Sequence, residues 1–180
     1  MKTLTILRHA KSGWEDLGLR DFDRPLSAKG QRAAQVVGRN LRTLNLDFDR
    51  IVASPAVRVT ETLDHVARGY GRALSPAWDR RLYLASVASL LDVIHEQDDA
   101  VSHLLLVGHN PGLEELVLAL VPPGPANAHR RAVEDKFPTA SVAVMTFVAD
   151  HWSDVTIGEA TLTEFVRPRD LDPALGPDQD

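Results

Sequence analysis

The sequence predicts an α/β domain, a three-layer α/β/α sandwich around a mainly parallel sheet. Two observations carry this. Short runs of apolar and β-branched residues alternate with longer stretches whose apolar residues recur at helical spacing, the pattern of parallel strands covered by helices on both faces. At Ser54-Pro55 and Asn110-Pro111 a strand-like run stops at a proline that opens a helix, where the missing N–H costs nothing. A chain of 180 residues with 44% hydrophobic content suits one domain, expected over 1–168, with 169–180 as a flexible acidic tail.

Leu4, Ile6 and Leu7, ahead of a polar loop from Lys11 to Leu26, predict a first strand ending about Arg8. Ser27 is positioned to cap a helix over 28–43, with Ala33, Val36, Val37 and Leu41 as its apolar stripe. After a turn, Ile51-Val52-Ala53 reads as a short buried strand, and a helix follows from Pro55 to about Arg68. Gly69, Gly71 and Pro76 punctuate an irregular stretch over 69–85, before Val87, Leu90, Leu91 and Ile94 mark a third helix ending near Glu96. The run from His103 to Val107 predicts a central strand, and Leu113, Leu116, Val117 and Leu120 a helix after Pro111. A Pro-rich loop over 121–137 precedes two strands, Ser141 to Val148 and Val155 to Val166.

A formal charge of -5 gives no reason to expect a nucleic-acid or anionic-membrane surface. The chain has no cysteine, which excludes disulfides, thiolate metal sites and a thiol nucleophile. No apolar stretch reaches the ~18 residues of a membrane span, and the first residues lead into a strand rather than a signal-peptide pattern, so a cytoplasmic protein is expected.

In open parallel sheets, ligands bind beyond the carboxyl ends of the strands. Arg8-His9 ends the first strand, Arg58 lies in the helix after the second, and His109 ends a central one. If these strands are neighbours, one edge collects two guanidinium groups, two imidazoles and two helix amino termini, a setting for a dianion such as phosphate. Taken singly, each has a plainer reading as a surface or partly buried polar residue. Arg8 directly after an apolar run is harder to dismiss, because a buried guanidinium needs carboxylate, phosphate or carbonyl partners.

The stretches LRHAKS, SPAVRVTET and VGHNPGLEEL resemble the histidine phosphatase superfamily, whose signature is an Arg-His pair after the first strand, and RPLSAKG with GHNPGLEEL is most similar to its SixA-type phosphohistidine phosphatases. The resemblance covers nearly all of 1–148 and implies a phosphoglycerate-mutase-like fold. It implies that His9 is a nucleophile that becomes phosphorylated, that Arg8, Arg58 and His109 grip the phosphoryl oxygens, and that neither metal nor cofactor is needed. Ala10 stands where the family commonly has Gly. Lys11, Ser12 and Asn110 rank second, as substrate-binding candidates or as ordinary loop residues.

Family members that cleave esters usually keep a carboxylate acid at one of two positions, here occupied by Leu84 and Asn110, and none occurs anywhere from Arg80 to Leu91. An alkoxide leaves about as basic as hydroxide (~15.7), whereas a phosphohistidine imidazole leaves neutral, with a conjugate acid near ~6.5. The gap, worth ~12 kcal/mol of leaving-group basicity at ~1.36 per unit, favours a P–N bond where no acid is present. The expected substrate is therefore phosphohistidine on a protein, in a signalling or phosphotransfer domain, with no nucleic acid or membrane involved. Small phosphate esters with a loop carboxylate (Glu15, Asp16, Asp21 or Asp23) as acid are the alternative, and a catalytically weak phosphate-binding or docking module is a third reading. Glu114 and Glu115 are explained by the helix dipole, and His65, His95, His103, His129 and His151 lack ligand spacing.

Overall fold

The computed structural model describes residues 1–13 and 16–177. Six strands, β1 (Lys2–Arg8), β2 (Arg50–Ala53), β3 (Ala77–Trp78), β4 (His103–Gly108), β5 (Val142–Phe147) and β6 (Thr161–Val166), form one sheet in the order β3-β2-β4-β1-β5-β6. β1 to β4 run parallel, and β5 lies antiparallel between β1 and β6. Helices α1 (Ala28–Thr43), α2 (Val57–Tyr70), α3 (Val87–His95), α4 (Gly112–Leu120), α5 (Ala128–Asp135) and a last turn α6 (Pro168–Leu171) complete the three-layer α/β/α sandwich.

Strand alternation divides the core. Leu4, Ile6, Leu104 and Leu106 pack with α3, α4 and α5, while Leu7, Leu105 and Val107 pack with α1 and α2. Helices α1 and α2 cross closely at two glycines that answer one another: a Cβ on Gly38 would lie 2.1 Å from the Val66 carbonyl oxygen, and one on Gly69 2.0 Å from that of Gln35. The register then sets the site. Arg8 pairs with Gly108 and Ala53 with Val107, so β1, β2 and β4 end level.

The helix over 28–43 forms as expected, with the Ser27 hydroxyl accepting from Gly30 N. Other boundaries differ. The helix expected from Pro55 begins at Val57, and α4 begins at Gly112, after a cis Asn110–Pro111 bond. Within 121–137 the chain forms α5, capped by Asn127; only Val133 of this helix is buried, so it carries no apolar stripe to read. Residues 69–85 include the two-residue β3, and β6 starts at Thr161 rather than Val155, after a 3-10 turn at Trp152–Asp154. The segment expected as a frayed tail is helical at Pro168–Leu171 and Pro173–Leu175, and Lys29 Nζ on α1 donates to Gly176 O at 2.6 Å. Among the described residues, no helix is long and apolar enough to cross a membrane.

Candidate active site

The level strand ends bring His9 and His109 together, their ring centroids 5.2 Å apart. Both rings are buried. His9 Nδ1 lies 2.7 Å from the Ala10 carbonyl. A carbonyl only accepts, so Nδ1 carries the proton of the neutral ring and Nε2 keeps its lone pair. Burial first, then the neighbouring His109, Arg8 and Arg58, pushes the His9 pKa down to about 3. Burial, with Arg58 and Arg8 behind it, takes His109 down to about 4. Both imidazoles are neutral at pH 7.

His109 Nε2 meets Ser54 Oγ at 2.8 Å, and Ser54 Oγ accepts from Ala56 N at 3.3 Å. The Ser54 hydroxyl has one proton and two lone pairs, so it either donates to Nε2, with the ring proton on Nδ1, or accepts from Nε2–H. Thr62 couples the first strand to α2: its hydroxyl donates to Arg58 O at 2.6 Å and accepts from Ala10 N at 2.9 Å. Ala10 is buried and is not among the positive-φ residues, so the loop needs no glycine there.

The guanidinium groups are held from behind. Arg8 Nη1 donates to Phe137 O at 2.9 Å, and burial pulls its pKa below the usual arginine value, opposed by the Glu114 carboxylate. Arg58 donates from Nη1 to Asp21 O at 2.6 Å and from Nη2 to Asp21 Oδ2 at 3.0 Å. Asp21 Oδ2 also accepts from Tyr83 at 2.7 Å, and the Tyr83 ring meets the His109 ring edge-on at 5.2 Å. Arg8 Nε, Arg58 Nε and His109 Nδ1 are buried with no hydrogen-bond partner among the described residues. Buried donors of this kind are costly unless something accepts from them. The two guanidinium N–H donors, with the His109 ring nitrogen beside them, suit an anion.

Of the second-rank residues, Asn110 and Ser12 are committed to the scaffold. Asn110 donates to Phe137 O at 3.0 Å and accepts from Glu114 N at 3.2 Å, closing the first turn of α4. Ser12 accepts from Arg24 Nη2 and bridges to Leu26. Lys11 lines a cavity next to Arg8. Among the loop carboxylates, Asp16 accepts from Gly18 N and Asp23 pairs with Arg20, while Asp21 alone reaches a site cation; Glu15 lies outside the described residues. Leu84, in the expected acid position, is 69% exposed. Its φ of 53° leaves it outside while Tyr83 turns toward His109.

His65, His95, His103 and His151 bind Gln35, Val155 O, Thr5 and Asp99, outside the strand edge. No cluster of three metal-ligating side chains occurs among the described residues. Sequence reasoning missed Ser54, Thr62 and Tyr83, and named Asp21 as one of four loop carboxylates without its pairing to Arg58. Ser54 alone had a signal, its place at a strand end inside SPAVR.

A family model described as histidine phosphatase superfamily (branch 1) matches residues 4–83. An uncharacterized protein of Mycobacterium tuberculosis is 37% identical over 164 residues, covering 91% of this chain and 100% of the relative. The chain belongs to the histidine phosphatase superfamily. Among solved structures, a candidate phosphohistidine phosphatase SixA from Nakamurella multipartitia superposes with a TM-score of 0.80 at 28% identity, covering 93% of this chain and 96% of that one. A SixA from Agrobacterium tumefaciens, described in the same terms, gives 0.77 at 28% identity, covering 93% and 98%. This histidine phosphatase is thus of SixA type, and its activity class is that of a phosphatase.

Proposed function

We propose that this histidine phosphatase removes phosphate from phosphohistidine carried by a protein, through a covalent phospho-His9 intermediate. His9 Nε2 attacks phosphorus, the P–N bond to the substrate breaks, and the protonated substrate imidazole leaves neutral. Throughout, His9 Nδ1–H stays on the Ala10 carbonyl, which keeps the lone pair of Nε2 aimed outward. Arg8, Arg58 and His109 bind the phosphoryl oxygens. Water then attacks phospho-His9, inorganic phosphate departs, and the imidazole is restored. Two guanidinium groups supply the charge that the phosphoryl group needs, so this chemistry requires no metal.

The observation that carries the reading is a neutral His9 beside the buried, unpartnered guanidinium N–H donors of Arg8 and Arg58. Preference for nitrogen-bound phosphate rests on the acid positions. Leu84 is apolar and Asn110 is bound to the backbone. Among the described loop carboxylates, the ester reading turns on Asp21, whose carboxyl the hydrogen bonds from Tyr83 and Arg58 hold below the usual range, so it has no proton to give at neutral pH. Comparing kcat/KM for a phosphohistidine-bearing protein with that for a panel of sugar and nucleotide phosphates tests the proposal. It predicts preference for the protein and loss of turnover in His9→Ala; preference for esters would sink it.

A further inference from the structure

Tyr83 reaches the surroundings of two anion-binding residues at once. Its hydroxyl donates to Asp21 Oδ2 at 2.7 Å, the same oxygen that accepts from Arg58 Nη2 at 3.0 Å. Its ring meets His109 edge-on at 5.2 Å and Phe22 likewise at 5.2 Å. Two short turns bring these groups together. Asp79 caps the turn at Arg80–Leu82 by accepting from Arg81 N at 2.9 Å, and buried Leu82 anchors it just before Tyr83. Phe22 belongs to the turn at Asp21–Asp23 that carries the carboxylate, and the Arg80 guanidinium lies 5.3 Å from its ring centroid, tying the two turns a second time.

Arg58 needs such a support. Its guanidinium is buried, but the Asp21 side chain that holds it is 47% exposed. Water competes for an exposed carboxylate, and an ion pair of that kind holds its partners only loosely. Both Nη atoms are given to Asp21, at the backbone carbonyl and at Oδ2, which leaves Nε as the buried donor with no partner among the described residues. The direction of that N–H therefore depends on where Asp21 Oδ2 is held. Arg24 Nη1 lies 3.7 Å from the other carboxylate oxygen, Oδ1, so Tyr83 makes the close contact to Oδ2 from outside the pair. Burial, then Asp21, pushes the Tyr83 pKa up, so the hydroxyl keeps its proton and donates at neutral pH.

We infer that Tyr83 is a positioning residue for phosphoryl binding: through Asp21 it fixes the plane of the Arg58 guanidinium, so that Nε–H meets a phosphoryl oxygen. The inference rests on the functional reading above for the place of Arg58 as a phosphoryl ligand. Tyr83 itself transfers no proton and takes no phosphoryl oxygen.

The test is the binding of inorganic phosphate at neutral pH, read by NMR from the His9 and His109 ring resonances, in wild type, Tyr83→Phe, Arg58→Lys and the double variant. Phenylalanine keeps the ring and loses only the hydroxyl. Tyr83→Phe should weaken phosphate binding by about threefold or more, part of the ~10-fold or more that a charge-assisted hydrogen bond is worth. Lysine has no planar fork for Asp21 to hold, so in the Arg58→Lys background the same substitution should change affinity by less than about twofold. Equal losses in both backgrounds, the signature of a packing effect alone, overturn the role, and so does Tyr83→Phe binding phosphate as tightly as wild type. A second measurement does not need the lysine variant. The Arg58 Nε–H resonance should move downfield when phosphate saturates wild type, and by less than about half as much in Tyr83→Phe; equal movement overturns the role. Arg58→Lys binding phosphate as tightly as wild type would remove Arg58 from the clamp and overturn both this inference and the reading it rests on. Failure to hydrolyse a phosphohistidine-bearing protein, with the expected pattern of phosphate binding kept, counts against the functional reading alone.

Discussion

Two imidazoles buried beside two guanidinium groups stay uncharged, which leaves His9 with the free lone pair that the proposed nucleophile needs. Burial is the largest cause of the lowered pKa at both His9 and His109. In free protein, NMR titration of the ring resonances should therefore show neither residue protonating above about pH 5, while His151, held up by Asp99, titrates above its ordinary value. A midpoint near 6.5 for His9 would contradict the environment described. Asp21→Asn separates the substrate readings. The amide oxygen can still accept from Arg58 and Tyr83, so phosphohistidine turnover should stay within about threefold of wild type. A selective loss of ester hydrolysis of ~100-fold or more would instead identify Asp21 as a general acid. The strand-end residues Arg8, His9 and His109 were legible because each follows an apolar run, and Arg58 because it opens a helix after another. Asp21 was legible only as one of four loop carboxylates, and its contact with Tyr83 was not, since the two meet from 62 residues apart.

At the scale of elements, the site depends on how closely α2 lies against α1 and β1. Thr62 on α2 holds both Arg58 and the Ala10 backbone, and the Gly38 and Gly69 crossing sets the depth at which α2 sits. Gly69→Ala would drive a Cβ into backbone at 2.0 Å, and Gly38→Ala likewise at 2.1 Å. Either should cost at least about 1–3 kcal/mol in denaturant unfolding, despite the better helix propensity of alanine. A neutral or stabilising result would mean that the helices separate freely. Periodicity revealed α1, α3 and β4 because each has a buried stripe or run. It missed α5, whose stability comes from Asn127 capping and from Arg130, which donates to Val121 O and Leu118 O at the end of α4. The turns after β6 were missed for a similar reason, since their partner is a lysine on α1, 147 residues away.

For the whole molecule, the buried histidines link folding to pH. In the unfolded chain they bind protons near ~6.5, but in the folded protein only near about 3 and about 4. Between those limits the unfolded state holds more protons, so stability rises with pH through the window and is lost as pH falls below ~6.5. Each group contributes up to about 1.4 kcal/mol per pH unit. Guanidinium unfolding at pH 5 and pH 7 should show this loss, and His109→Gln should reduce its slope; an unchanged slope would remove His109 from the linkage. The sheet order was only partly legible. Alternating strands and helices predicted a parallel sheet, but the placing of β1 between β4 and β5, which brings His9 beside His109 and Phe137 beside Arg8, emerges only when the strands pair.

The central claim is that phosphate passes from a protein's phosphohistidine to His9. Rapid-quench mixing with a phosphohistidine-bearing protein labelled on phosphorus, followed by peptide mapping under alkaline conditions, tests it directly. The account predicts transient, acid-labile label on the peptide containing His9, decaying as inorganic phosphate appears and absent in His9→Ala. Release of phosphate at full rate with no label on that peptide, or undiminished in His9→Ala, would contradict it.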